Sequence, residues 1–394
     1  MSIDIDIKNQ GHPPETYAQW VRSSIIKAKA ATHDTYTLFG SSVAEPVALL
    51  QGILVEGFTQ PLTDCYQSAF FDGNPVAREE LAKQYDVRRS QVLCTTGATG
   101  ALSLICRAYL HPGDHVLVES PGFDLFAGLA KEQLAHVSHI SRKGPTFQLD
   151  IEEIAQSITE RTKLIILSNL HNPSGFMLSA ESMKQIAALA EKRDILVVVD
   201  EVYADYAKND PSYRPAVSVS PNFATISSLT KNLGLNTLRC GWIVCADRWL
   251  SPIKNLNDKF EFGVSKLAHA VAAMVLRERS LFDQHGHDVM EKARPIMAYY
   301  HERWCQEKLI SGLLPDHGCI VFPRLSQIND TMHFSDWLAN RYGVYVVPGE
   351  YFGAAGHVRI GFALDPALLD KSLSLFEDGL NEYLARRSVK SAHR

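Results

Sequence analysis

The sequence predicts an α/β fold, in which a large domain has a mostly parallel seven-stranded sheet flanked by helices. A smaller α+β domain is built from the N-terminal and C-terminal segments. Two observations support this prediction. Short apolar runs alternate with helical stretches through the first two thirds of the chain, as crossover connections between parallel strands require. Beyond about residue 286, long helical stretches and isolated short strands follow, which is typical of a separate smaller domain.

Length and composition restrict the possible functions. The chain has 394 residues, 46% of them hydrophobic and 21% charged, as in ordinary globular proteins of more than one domain. The net charge is −5 without a basic stripe, so we expect no nucleic-acid partner. No apolar run reaches the roughly 18 residues of a membrane helix. Seven scattered cysteines without a Cys-x-x-Cys pair predict reduced thiols, and we expect a cytoplasmic location.

The elements can be assigned in chain order. Residues 14–31 have helical spacing, and a strand or turn then ends at Gly40, where the backbone either turns or approaches a ligand. Residues 49–72 give no clear pattern. The strands of the large sheet are predicted at 91–95, 115–119, 133–138, 164–168, 195–199, 224–227 and 241–246, with helices at 76–85, 151–158 and 180–193. Three domain segments result, namely 1–50, which joins the small domain, 51–285, the large domain, and 286–394, the small domain.

A small-residue turn, Thr-Gly-Ala-Thr-Gly, connects the strand at 91–95 to an apolar helix. Such a turn presents free backbone amides and the positive end of the helix dipole to an anion, and Thr99 adds a hydroxyl. A tight packing turn without a ligand would use the same residues. The pattern is neither Gly-x-Gly-x-x-Gly nor a Walker loop.

Two charged residues, one at the end of a predicted strand and one in the loop after another, would require a partner if they were buried. Asp200 ends an apolar strand, and it either caps the next helix or pairs with a cation such as a pyridinium nitrogen. Lys231 lies in a loop after the strand at 224–227, three residues after Ser228 and eight before Arg239. It is either a solvated loop lysine or an amine that reacts with a carbonyl while its neighbours bind an anion.

Four further residues have both a structural and a functional interpretation. Asn172 begins the turn Asn-Pro-Ser-Gly, and its amide could donate to a ring oxygen, a role that Tyr203 could share. Phe123 either packs in the core or lies on a flat heterocycle. Arg359, in the strand Val-Arg-Ile-Gly, either forms a structural ion pair or binds a carboxylate in a bidentate fork.

Taken together, these motifs resemble a known family. Gly-Ala-Thr-Gly, Pro-Gly-Phe, Asn-Pro-Ser-Gly, Asp-Glu-Val-Tyr, Ser-Leu-Thr-Lys and Val-Arg-Ile-Gly occur in the order of the fold-type I pyridoxal-phosphate-dependent aminotransferases of class I/II, the aspartate aminotransferase superfamily. The gaps are compatible, with 28 residues from Asn172 to Asp200 and 31 from Asp200 to Lys231. The resemblance extends from about Gly40 to the end, and it implies transfer of an amino group from an α-amino acid to a 2-oxo acid.

The resemblance implies pyridoxal 5'-phosphate (PLP) as the cofactor and a role for each candidate residue. Lys231 would form a Schiff base and move the substrate's α-proton, and Asp200 would pair with the pyridine nitrogen. Arg359 would bind the substrate α-carboxylate, with Asn172 and Gly40 beside it. The remaining cofactor contacts would be Phe123, Asn172 and Tyr203 at the ring and Gly97, Ala98, Thr99, Ser228 and Arg239 at the phosphate. No metal is implied.

The resemblance also implies a homodimer with shared sites. Tyr66 and Phe70 both lie near the position whose tyrosine, in relatives, reaches the neighbouring subunit's phosphate. Two alternatives remain open: another PLP reaction on an amino acid, namely β-elimination, decarboxylation or cyclisation, and a non-catalytic ligand-sensing protein of the same fold. The sequence does not identify the amino donor.

Overall fold

The computed structural model describes residues 16–261 and 263–392, and the described part contains a large sheet, three small sheets and thirteen α-helices. The helices are α1 Tyr17–Ala30, α2 Val47–Gly57, α3 Pro75–Tyr85, α4 Gly97–Tyr109, α5 Asp124–Glu132, α6 Ile151–Ser157, α7 Ala180–Arg193, α8 Ala216–Val219, α9 Asp247–Phe260, α10 Lys266–Arg277, α11 Arg279–Gln306, α12 Thr331–Tyr342 and α13 Pro366–Ala392.

The strands of the large sheet are β2 Val92–Thr95, β3 His115–Ser120, β4 His136–Lys143, β5 Gln148–Leu149, β6 Thr162–Ser168, β7 Leu196–Asp200, β8 Phe223–Ser228 and β9 Gly241–Val244. The short strands elsewhere are β1 Tyr36–Thr37, β10 Ile310–Ser311, β11 Ile320–Val321, β12 Arg324–Leu325, β13 Val344–Tyr345, β14 Val347–Pro348 and β15 Val358–Gly361.

The large sheet is mostly parallel, as predicted. Its order is β2-β9-β8-β7-β6-β3-β4-β5, and β9 and β5 are antiparallel to their neighbours. The described part therefore has one strand more than the seven predicted, because the two residues of β5 pair with the end of β4. Every residue of β7 and β8 is buried, which is typical of parallel strands covered by helices on both faces.

Apolar side chains fill both sides of the sheet. On one side α4, α5 and α9 pack through residues such as Leu102, Phe126 and Trp249, and on the other side α6 and α7 pack through Ile154 and Ile186. The α/β prediction is confirmed, and the helices on both faces leave the strand ends as the place where polar side chains can meet.

A second core lies outside this sheet. It combines α11, α12 and α13 with the short strands and with Leu38 and Val43 from the N-terminal segment. Trp304 and Phe376 are fully buried at its centre, with ring centroids 5.0 Å apart. The division of the chain at residues 50 and 285 remains a prediction, and α2 and α11 run through these two points.

Two helices lie in stretches for which no helix was predicted. The helix α2 is apolar almost all round, so it lacks the polar stripe by which an amphipathic helix is recognised. The helix α5 follows Phe123 directly. The strand predicted at 133–138 was placed too early, because β4 extends to Lys143 and most of its residues are exposed or half-buried. No helix in the described ranges has the length and apolarity needed to cross a membrane.

Candidate active site

Three neighbouring strands bring the predicted residues together. In the parallel register Ser168 of β6 lies beside Asp200 of β7, and Asp200 lies beside Ile226 of β8. The segments that follow these strands therefore emerge at one edge of the sheet. This edge carries Asn172 after β6 and Lys231 after β8, as expected for a site at the carboxyl ends of parallel strands.

Lys231 lies inside the site. Its Nζ donates a hydrogen bond to Ser41 Oγ at 2.9 Å and lies 5.1 Å from the centre of the Tyr203 ring. Burial lowers the pKa of the Lys231 amine below its ordinary value. A larger fraction of the amine is then unprotonated, which is the form that attacks a carbonyl.

Asp200 lies at the floor of the site. Its Oδ1 accepts a hydrogen bond from the backbone N–H of Val202 at 3.1 Å, and burial raises the pKa of its carboxyl to about 6. No cationic side chain of the described residues forms a salt bridge with it. A buried carboxylate with so few partners is suited to a cation brought by a ligand.

An anion cradle lies at the beginning of α4. Gly97, the first residue of this helix, has φ of +72°, and a Cβ there would lie 2.7 Å from Nη2 of Arg239. A Cβ on Gly241 would lie 2.4 Å from the carbonyl carbon of Gly97, so the strand β9 must have glycine here. Ser228 is buried at the end of β8, on the same cleft. The amides at the start of α4, the Ser228 hydroxyl and a guanidinium thus converge, as a phosphate requires.

Arg359 lies on β15, opposite the sheet edge, and is 1% exposed. Its Nη1 donates to Asn172 Oδ1 at 2.9 Å, and its Nη2 donates to the Tyr17 hydroxyl at 2.5 Å. The guanidinium lies 4.9 Å and 5.0 Å from the ring centres of Tyr17 and Phe352. The Nε atom is buried without a hydrogen-bond partner in the described structure, which suits a ligand oxygen.

Asn172 is positioned by a buried network beneath it. Its backbone N–H donates to Ser168 Oγ at 3.0 Å, and the Ser168 hydroxyl donates to Glu119. Glu119 forms a fully buried ion pair with Arg142, which also donates to the backbone carbonyl of Ser168 at 2.7 Å. Each residue of this hydrogen-bond network has a partner, so the side-chain amide of Asn172, which contacts Arg359, is held in place.

One cleft contains most of the predicted residues. Those lining it are Ala98, Thr99, Phe123, Asn172, Asp200, Tyr203, Ser228, Lys231, Arg239 and Arg359. Gly97 lies beneath the guanidinium of Arg239 instead. Gly40 does not line the cleft. Its carbonyl oxygen packs against Gly361, where a Cβ would lie 1.5 Å from that oxygen. The roles given to all these residues remain predictions.

Two residues of the N-terminal segment line the cleft although no sequence motif predicted them. Ser41 contacts Lys231, and Tyr17 contacts Arg359. Both contacts join residues far apart in the chain, and one tyrosine in a helical pattern is indistinguishable from a core residue. Within the described ranges, His, Cys, Asp and Glu side chains form no cluster of three that could bind a metal.

Tyr66 and Phe70 lie away from this cleft. The Tyr66 ring packs on Phe58, with centroids 5.7 Å apart, and the Lys266 ammonium lies 4.0 Å from the ring centre. Phe70 is 61% exposed. Neither contacts the anion cradle of its own chain, so the prediction about the neighbouring subunit's phosphate remains open.

Known proteins resemble this chain in sequence and fold. It is 27% identical over 395 residues to capreomycidine synthase from Streptomyces vinaceus, covering 96% of each chain. It is 25% identical over 331 residues to a probable aspartate/prephenate aminotransferase from Aquifex aeolicus, covering 79% of this chain and 82% of the relative. In fold it is similar to a double mutant of Thermus thermophilus aspartate aminotransferase, with a TM-score of 0.82, 22% identity and coverage of 93% and 97%.

The family model for "Aminotransferase class I and II" matches residues 64–375, which include nearly all of the predicted cofactor and substrate residues. Only Gly40 of the predicted set lies before this range. Members of this family use PLP. The chain therefore belongs to the class I and II aminotransferases, a family of PLP-dependent enzymes.

Proposed function

We propose that this chain moves an amino group from an α-amino acid to a 2-oxo acid, with PLP bound in the cleft at the carboxyl edge of the large sheet. The observation that carries the proposal is the juxtaposition of a buried lysine, a buried carboxylate without a cation and an anion cradle in one cleft. Each of these groups requires a partner, and one phosphorylated aromatic cofactor would satisfy all of them.

The residues of the cleft fit this cofactor. Asp200 would pair with the ring nitrogen, and Lys231 would hold the cofactor covalently. Ala98, Thr99, Ser228 and Arg239 would bind its phosphate, while Phe123, Asn172 and Tyr203 would contact the ring. When bound, PLP withdraws electrons from the α-carbon of the amino acid, so that its proton can leave.

Lys231 is then the proton carrier of the site. Once the substrate's amino group has displaced it from the cofactor, its amine, with a pKa lowered by burial, would accept the proton from the substrate α-carbon. It would then donate this proton to the cofactor carbon to which Lys231 had been attached. Ser41 lies within hydrogen-bond distance of the same Nζ and orients it between these two positions. Tyr203 lies beneath the amine and excludes water from that side.

Arg359 binds the α-carboxylate of the substrate. Its guanidinium is fixed by Asn172 and by two aromatic rings, so little side-chain freedom is lost when a carboxylate arrives. A bound carboxylate is thereby oriented relative to Lys231.

A second candidate is another PLP reaction on an amino acid, including cyclisation. The similarity to capreomycidine synthase over 96% of both chains supports this second candidate. The same site residues would serve either reaction, because the reaction type depends on which substrate bond is perpendicular to the ring.

A half-reaction screen separates the two candidates. The purified holoenzyme is mixed with single amino acids, and the absorbance of its cofactor is followed before and after a 2-oxo acid is added. An aminotransferase converts the cofactor to its amine form with one or more donors, and the 2-oxo acid restores the first spectrum. A lyase or cyclase forms product without this cycle, which would contradict the proposal.

We further propose a homodimer. The helix α2 has no buried residue although seven of its eleven residues are apolar or alanine. It contacts α10, and exposed apolar side chains lie on α2 itself, namely Val47 and Val55, on α10, namely Leu267, and five residues after α2, namely Leu62. Four residues before α2, the N–H of Val43 donates to the carbonyl of Lys231 at 3.1 Å, so a partner on this face would lie beside the site. An exposed apolar patch of this kind is typical of an interface.

We also propose a cytoplasmic location. The support is that all seven cysteines are free and six of them are buried, as in proteins of reducing compartments.

A further inference from the structure

Tyr17, the first residue of α1, reaches the cleft from outside the sequence motifs. Its hydroxyl oxygen accepts a hydrogen bond from Nη2 of Arg359 at 2.5 Å. Its ring contacts Phe123 edge-on, with centroids 5.8 Å apart, and lies 5.7 Å from the ring of Phe352. Tyr17 therefore lies between the aromatic residue predicted to stack on the cofactor and the arginine predicted to bind the substrate.

The backbone of Tyr17 is fixed independently of its side chain. Its N–H donates to Oδ2 of Asp124 at 2.9 Å, at the first residue of α5. Burial raises the pKa of the Asp124 carboxyl, and its position is the one adjacent to Phe123. Tyr17 is thus connected to the large domain through Asp124 and to the small-domain strand β15 through Arg359, which leaves its hydroxyl little freedom to move.

The hydrogen bonding of this hydroxyl is incomplete. A phenol both donates and accepts, and here the oxygen accepts from a guanidinium. The described structure gives its proton no acceptor. A carboxylate that binds Arg359 would bring an anionic oxygen next to the hydroxyl, and a hydrogen bond from an O–H to such an oxygen is among the stronger kinds.

We propose that Tyr17 is a further substrate-binding residue, whose hydroxyl donates to the α-carboxylate that Arg359 binds. The N-terminal helix thereby supplies the second donor of the carboxylate site. This inference rests on the proposed role of Arg359.

The test compares Tyr17→Phe with Tyr36→Phe, which removes a hydroxyl from a half-buried tyrosine outside the cleft. The dissociation constants of 3-phenylpropionate and maleate, which carry carboxylates but no amino group, are measured by calorimetry on the holoenzymes. We expect Tyr17→Phe to weaken binding about tenfold to a hundredfold, as for a lost hydrogen bond to a charged group, and Tyr36→Phe to leave it unchanged. In steady state, KM for the amino acid should rise by a similar factor while kcat changes little.

Unchanged binding in Tyr17→Phe would overturn the inference. Tighter binding would overturn it too, since it would mean that Tyr17 competes with the carboxylate for Arg359. Calorimetry needs no amino transfer, so its result is independent of the half-reaction screen.

Asp124 provides a second pair of variants that leaves the Tyr17 side chain intact. Asp124→Ala should reproduce part of the loss, because the Tyr17 backbone loses its anchor. Asp124→Asn keeps an oxygen acceptor for the Tyr17 N–H and should restore carboxylate binding. Equal binding in Asp124→Ala and Asp124→Asn would contradict the positioning of Tyr17 through Asp124.

Discussion

At the scale of single residues, the site consists of charged groups that the protein alone leaves incompletely paired. Asp200 is buried with one backbone donor, Lys231 has a lowered pKa, and Nε of Arg359 has no partner in the described structure. Burying such groups costs free energy that the fold must supply. The cost is accepted at binding sites, where the ligand brings the missing partners.

The pH dependence of stability follows from two adjacent carboxyls. Burial raises the pKa of Asp200 to about 6 and that of Glu201 to about 7, from ordinary values of 3.8 and 4.5. Between these values the folded protein retains protons that the unfolded chain has released. The contribution of these two carboxyls to the free energy of unfolding of the cofactor-free protein should therefore fall, by a few kcal/mol, as the pH rises from about 4 to about 7.

Denaturant unfolding at pH 5 and at pH 8 measures this dependence. Glu201→Gln and Asp200→Asn should each flatten the profile, because each removes one titrating group. Asp288→Asn changes an exposed carboxylate on α11 and should leave the profile as it is. Profiles of Glu201→Gln and Asp200→Asn that run parallel to the wild-type profile would contradict the assignment.

At the scale of elements, strand order and close backbone packing create the site. The sheet aligns the ends of β6, β7 and β8, and β9 lies against the first residues of α4. The cradle depends on Gly241, since its Cα approaches the backbone of Gly97 and Ala98 too closely for any side chain.

Gly241→Ala should therefore destabilise the protein by about 1–3 kcal/mol and weaken binding of PLP, because the inserted methyl displaces backbone rather than a flexible side chain. The matched control is Gly128→Ala in α5, where a Cβ would meet nothing within 4 Å. That variant should be more stable by about 0.5–1 kcal/mol, since alanine favours a helix over glycine. Denaturant unfolding and an absorbance titration with PLP measure both effects, and equal behaviour of the two variants would refute the cradle geometry.

The sequence predicted the elements and residues whose signals are local. Apolar runs marked the buried strands, and the charged residue after each run marked the site at Asp200 and Lys231. Tyr17 and Ser41 could not be predicted, because their partners lie 342 and 190 residues away in the chain. The helix α2 was not predicted, because a helix that is apolar all round lacks the periodic alternation of apolar and polar residues.

At the scale of the whole molecule, the exposed apolar face of α2 explains why this helix has no polar stripe. A surface helix that packs on one side only needs a polar stripe, whereas one covered on both sides does not. The homodimer that we propose would bury α2 between two copies, and the neighbouring Val43 would place the interface next to the Lys231 loop.

Val55→Glu should therefore separate the dimer, because Val55 is 59% exposed on α2 and a charge there would be buried in the interface. Leu313→Glu changes an apolar side chain that is 51% exposed just after β10 and should leave the assembly intact. Sedimentation or light scattering at micromolar concentration distinguishes the two. A monomeric wild-type protein, or a dimeric Val55→Glu variant, would contradict the proposed interface.

The central claim is that Lys231 carries the cofactor, and reduction with borohydride followed by peptide mass spectrometry tests it most directly. In the wild-type holoenzyme the mass of the reduced cofactor should be found on the peptide that contains Lys231. In Lys231→Ala the adduct and the visible absorption band should both be lost, whereas Lys27→Ala, which alters an exposed lysine on α1, should retain both. An adduct on a different lysine, or an unchanged spectrum in Lys231→Ala, would contradict the account.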